Sequence, residues 1–77
     1  MKQLEQEVRP QVSVVFPVYN EEGNLEILYQ RVSEALLNSG VAYEMIFVDD
    51  CSTDRSLDIM KDLSRRDPCV QYVSLSR

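Results

Sequence analysis

Two short stretches hold most of the residues that could do chemistry, PVYNEE from Pro17 to Glu22 and DDCSTD from Asp49 to Asp54, roughly thirty residues apart. Together they offer Tyr19, Glu21, Glu22, Asp49, Asp50 and Asp54. Such a group of carboxylates repels bare phosphates and tolerates them only with a divalent cation in between. Carboxylates do accept hydrogen bonds from the ring N–H and amino groups of a base and from ribose hydroxyls, and an aromatic ring such as Tyr19 can stack on a base. The residue types therefore suit a base and ribose better than a phosphate. The glycine-rich phosphate cradles point the same way, since neither G-x-G-x-x-G nor a P-loop follows either apolar run.

Each residue also has a plainer role. Pro17 can simply end a strand, and Tyr19 can cover the end of a sheet. Glu21 and Glu22 suit the positive end of a helix dipole. Two adjacent aspartates after an apolar run are harder to explain structurally, because their mutual repulsion must be offset. Cys51 and Cys69 stand without CxxC spacing in a chain with no histidine, which predicts packed, reduced thiols in a cytosolic setting rather than a zinc site or disulfide.

The elements that position these stretches follow from periodicity. Residues 1–11 are polar and read as a flexible leader ending near Pro10. VSVVF, Val12 to Phe16, is apolar at four residues in five and β-branched, which predicts a strand covered on both faces and bounded by Pro17. Leu25, Leu28, Val32, Ala35 and Leu36 recur at helical spacing, with Asn20 or Asn24 as cap and Gly40 at the end. MIFV, Met45 to Val48, predicts a central parallel strand that stops at Asp49 and Asp50. A second helix, capped by Ser52 or Thr53, buries Leu57, Met60 and Leu63 and ends before Pro68, and CVQYVSL supplies a third strand. The order β-α-β-α-β predicts an α/β fold with a parallel sheet. Ligands of such sheets bind beyond the carboxyl ends of the strands, which brings the two acidic stretches side by side.

The totals exclude other classes. At 77 residues the chain has room for one small domain or part of one, and the first strand has no fourth strand to cover its other side. That predicts an incomplete domain, or association through an open strand edge. A net charge of −5 argues against a nucleic-acid surface. No stretch is long and apolar enough for a membrane span, and the charged opening lacks a signal-peptide core.

VSVVFPVYNEEGNL, then YEMIFVDDCSTDRSL, then VQYVSLSR, in that order and spacing, resemble the start of a family 2 glycosyltransferase, nearest the polyprenyl-phosphate sugar transferases. The resemblance covers Val12 to Arg77 and implies a three-layer, Rossmann-like GT-A nucleotide-binding half. It implies that Pro17, Tyr19 and Glu21 border the donor nucleoside, that Val48 and Asp50 contact base or ribose, and that Asp49 braces the loop. It further implies a UDP- or GDP-sugar donor, a lipid-phosphate acceptor at the cytosolic face of a membrane, and Mg²⁺ or Mn²⁺ held by residues outside this chain. No catalytic residue is implied within it, so this portion is expected not to transfer sugar alone. Many relatives carry glycine where this chain has Cys51, which implies that the loop tolerates a side chain there. A non-catalytic nucleotide-binding or assembly module using the open strand edge is the alternative.

Overall fold

The computed structural model describes residues 9–75; most of the expected leader, and Ser76 and Arg77, lie outside the described residues. Five elements alternate: β1 (Val12–Val18), α1 (Leu25–Ser39), β2 (Tyr43–Asp50), α2 (Ser56–Arg66) and β3 (Val70–Leu75). The sheet is parallel throughout, in the order β1-β2-β3, so this is the α/β architecture that the alternation predicts. Gln11, assigned to the leader, is already tied in: its N–H donates to the Ala42 carbonyl at 2.8 Å.

Both crossovers step the same way across the sheet, and right-handed crossovers that do so lay their helices on one face. The core has that composition. Val18, Met45, Phe47 and Val70 from the sheet meet Leu25 from α1 and Met60 and Leu63 from α2, all buried. Phe16 and Phe47, partners in the β1–β2 register, stack with ring centroids 4.9 Å apart. The described chain thus forms a sheet and one helical layer.

Two expectations need correction here. The first strand is not covered on both faces: Val15 is 57% exposed, and on β3 Val73 and Leu75 are each 46% exposed. With both helices on one side, the alternate residues Val15, Ile46, Val48, Val73 and Leu75 form a second apolar face without cover among the described residues. Nor does the strand stop at Phe16. It runs through Pro17 to Val18, which an edge strand permits because a proline's missing donor can face away from the sheet. β2 likewise continues through Asp49 and Asp50.

The helix faces are close to those expected, with one rotation. On α1 the inward residues are Leu25, Tyr29, Val32, Ser33 and Leu36, whereas Leu28 and Ala35 are exposed. The rotation follows from Tyr29, whose ring packs on the core and whose hydroxyl donates to Asp67 Oδ2 at 2.6 Å. Ser33 is satisfied inside the helix, its hydroxyl donating to the Gln30 carbonyl. Gly40 ends α1 with φ +76°, a left-handed position that glycine takes without steric cost. α2 opens at Ser56 rather than after Ser52 or Thr53, because those two residues serve the preceding loop.

The Tyr29–Asp67 bond joins α1 to the end of α2 and makes a pH prediction. That hydrogen bond, helped by burial, pushes the Tyr29 hydroxyl from its ordinary 10.0 up to about 12. A group whose pKa is raised by folding contributes stability that is complete below its unfolded value and is lost as pH climbs through the folded value. Between pH 10.0 and about 12 the thermal midpoint of the wild type should therefore fall more than that of Tyr29→Phe. Parallel curves for the two proteins would contradict it.

Candidate functional site

The carboxyl ends of β1 and β2 are aligned by register. Pro17 pairs with Val48, and Val18 pairs with Asp49. Side chains alternate along a strand, so Val18 and Asp49, both buried, point to the helices, while Pro17 and Val48 lie on the open face. Tyr19 and Asp50 each follow the last β1–β2 pair by one residue, Tyr19 just past the end of β1 and Asp50 at the end of β2, where it still pairs with Leu75. Tyr19 is 57% exposed and Asp50 half-buried. Four of the residues singled out from sequence therefore form one patch at the strand ends. Glu21 sits apart, at the start of α1, where its carboxylate accepts a bond from Asn24 Nδ2 at 3.0 Å. Asp49 is 2% exposed and accepts the Ser52 N–H at 3.3 to 3.4 Å, beneath the turn that follows β2.

The two acidic loops are sewn together. Asn20 N–H donates to Ser52 Oγ at 2.9 Å, and Asn20 Oδ1 accepts from the Thr53 N–H at 2.7 Å and the Asp54 N–H at 3.3 Å. Farther out, Glu21 N–H donates to Ser56 Oγ at 2.8 Å, Glu22 N–H to Asp54 Oδ2 at 3.1 Å, and Arg55 N–H to Glu22 Oε1 at 2.7 Å. Asp54 Oδ1 also accepts the Ser56 N–H at 2.8 Å. Two of the carboxylates in the sequence cluster, Glu22 and Asp54, are thus occupied in holding one loop to the other.

The amides of Thr53, Asp54, Arg55 and Ser56 all donate to Asn20, Glu22 or Asp54. Of these amides only that of Ser56 belongs to α2, and it is taken by Asp54 just ahead of the helix. Desolvation works to raise the Asp54 carboxyl, but hydrogen bonds from the Ser56 hydroxyl and backbone, the Glu22 backbone and its own amide outweigh it and hold the carboxyl below its ordinary value. The loop junction is therefore fully formed above the ordinary carboxylate range and loosens as pH falls through the lowered value.

A groove of about 520 Å³ lies elsewhere, lined by Glu26, Arg55, Asp58, Lys61, Asp62 and Arg65. Ion pairs run along it, Arg66 to Glu26 at 2.8 Å and Arg65 to Asp62 at 3.1 Å. Exposed pairs of this kind contribute about 0 to 1 kcal/mol each and mark a solvated helix surface rather than a binding cleft.

Sequence reasoning missed Asn20, Ser52 and Ser56 as site-building residues. The signal was available only in part: an asparagine after an apolar strand tolerates the left-handed region, and Asn20 has φ +51°. Cys51 shares that region at φ +59°, so the loop accepts its side chain at a cost in strain. Its thiol is free of disulfide and donates to the Leu75 carbonyl at 2.9 Å. Cys51→Gly should relieve more strain than the weak thiol bond contributes, stabilising the fold by about 0.5 to 1 kcal/mol and raising the melting midpoint by a few degrees. A lower midpoint would show that the thiol bond dominates.

The family model described as Glycosyl transferase family 2 matches residues 13–77. The chain is 43% identical over 67 residues to an uncharacterized glycosyltransferase, YkcC, of Bacillus subtilis (strain 168), covering 87% of this chain and 21% of that protein. It is 48% identical over 67 residues to the undecaprenyl-phosphate 4-deoxy-4-formamido-L-arabinose transferase of Pseudomonas aeruginosa (strain LESB58), covering 86% and 20%. To the dolichol-phosphate mannosyltransferase of Pyrococcus furiosus it is 46% identical over 57 residues, covering 74% and 16%. The chain spans about a fifth of the length of the curated relatives it matches.

Proposed function

Because the chain belongs to glycosyl transferase family 2, we propose that it forms the donor-nucleoside portion of an enzyme that moves a hexose from a nucleotide diphosphate to a polyprenyl phosphate or related acceptor. The observation that carries this is the register: Pro17 against Val48, then Val18 against Asp49, so that Tyr19 and Asp50 emerge together. In the proposed complex the Tyr19 ring stacks on the base and the Asp50 carboxylate accepts hydrogen bonds from base N–H or ribose hydroxyl. Pro17 and Val48 form the apolar floor, Glu21 borders the nucleoside from the loop, and Asp49 braces the turn from below.

Among the described residues no group of three or more His, Cys, Asp or Glu could hold a metal ion, so no step is assigned to a metal here. A Mg²⁺ or Mn²⁺ ion at the diphosphate is proposed to be held outside this chain. The acceptor reading draws on the named relatives, a transferase to undecaprenyl phosphate and one to dolichol phosphate, and implies work at the cytosolic face of a membrane. No helix among the described residues is long and apolar enough to cross one.

The test is transfer by the full-length protein from UDP- and GDP-hexoses to undecaprenyl phosphate. Transfer by the full-length protein and none by the 77-residue chain alone is expected. Failure of the full-length protein to bind either nucleotide contradicts the proposal. A related assembly reading, through the face of the sheet rather than the open strand edge expected above, has one observation in its favour, the uncovered apolar face with Val15, Val73 and Leu75. A stable complex through that face that leaves nucleotide binding absent would favour it instead.

A further inference from the structure

We infer that Asn20 is a positioning residue for nucleoside binding, setting the gap between Tyr19 and Asp50; the inference rests on the donor-nucleoside reading above. Both loops turn through a left-handed residue directly after the proposed contact residue, Asn20 at φ +51° after Tyr19 and Cys51 at φ +59° after Asp50. These turns follow Tyr19, just past the end of β1, and Asp50, the last residue of β2. Between the two turns the cross-loop bonds converge on Asn20. Its amide holds Ser52 Oγ at 2.9 Å, and its side-chain oxygen takes the Thr53 N–H at 2.7 Å, the Asp54 N–H at 3.3 Å and the Thr53 hydroxyl at 3.4 Å.

The residue type fits this duty. Asparagine combines tolerance of positive φ with a short carbonyl that can accept several donors at once. The Glu22 and Asp54 bonds act farther along the loops, at the helix starts, and leave the segment beside Tyr19 to Asn20. Without the Asn20 carbonyl, binding a nucleoside between Tyr19 and Asp50 would have to order that segment as well, a cost that corresponds to about tenfold in affinity.

The experiment is nuclear magnetic resonance titration of the full-length protein with uridine and guanosine, which carry no phosphate. Asn20→Gly keeps the turn and removes the acceptor, so binding should weaken about tenfold. Asn20→Asp keeps both the acceptor and tolerance of the turn and should bind within about threefold of wild type. In a Tyr19→Ala background the further loss from Asn20→Gly should shrink below about threefold, because the stack it positions is gone. Equal binding by wild type and Asn20→Gly overturns the inference while leaving the nucleoside site standing. So do additive losses, which would mean that Asn20 acts only on the fold. Absence of nucleoside binding by the wild type overturns the donor-site reading and this inference together.

Discussion

Full-length protein carrying both Tyr19→Ala and Asp50→Ala is expected to bind UDP and GDP at least on the order of a hundredfold more weakly than wild type. Removing an aromatic platform costs about 1 to 3 kcal/mol per stacked base. Removing a charged hydrogen-bond acceptor costs about 1.5 to 3 kcal/mol. In the proposed complex the two side chains meet different parts of one nucleoside, so the losses should combine at least in part. The melting midpoint of the Tyr19→Ala variant should change little, because Tyr19 is 57% exposed at the rim of the sheet. Calorimetric titration of the two single variants and the double variant checks this, and unchanged affinity in all three would remove both residues from the site.

Phe47→Ala is the substitution expected to damage the fold most. The ring is fully buried at the centre of the middle strand, stacked on Phe16 and enclosed in the same core as Leu25, Met60 and Leu63. Truncating a buried phenylalanine costs about 3 to 5 kcal/mol through lost transfer energy and the cavity left behind. The whole stability of a domain is only about 5 to 15 kcal/mol. Phe47 is also two residues before Asp49, on the same face, so the cavity opens directly beneath the site loops. Denaturant unfolding should show a midpoint collapsed relative to wild type. A loss below about 1 kcal/mol would mean that the core repacks around the gap.

The sheet was legible because its strands are short, largely apolar and β-branched runs separated by helical periodicity, a pattern with few alternative folds. The meeting of the two acidic loops was legible for the same reason, since parallel strands put all their carboxyl ends on one edge. What sequence could not supply was the use of each carboxylate. Glu22 and Asp54 look like ligand carboxylates in the sequence, yet both are engaged in cross-loop hydrogen bonds. Those bonds depend on the rotation of each loop about its strand end, which turns on the left-handed conformations of Asn20 and Cys51. A cysteine at such a position carries no local signal, because its propensity disfavours the conformation it adopts. The inward rotation of Tyr29 was hidden in the same way: its partner, Asp67, lies on another element.

Mapping amide shift changes along the described residues as UDP or GDP is added to the protein tests the central claim most directly. The account predicts the largest changes at Val18 and Tyr19 and at residues 48–50, at the carboxyl end of the sheet. Changes confined to the charged groove lined by Glu26, Asp58 and Arg65, with the strand ends silent, would contradict it.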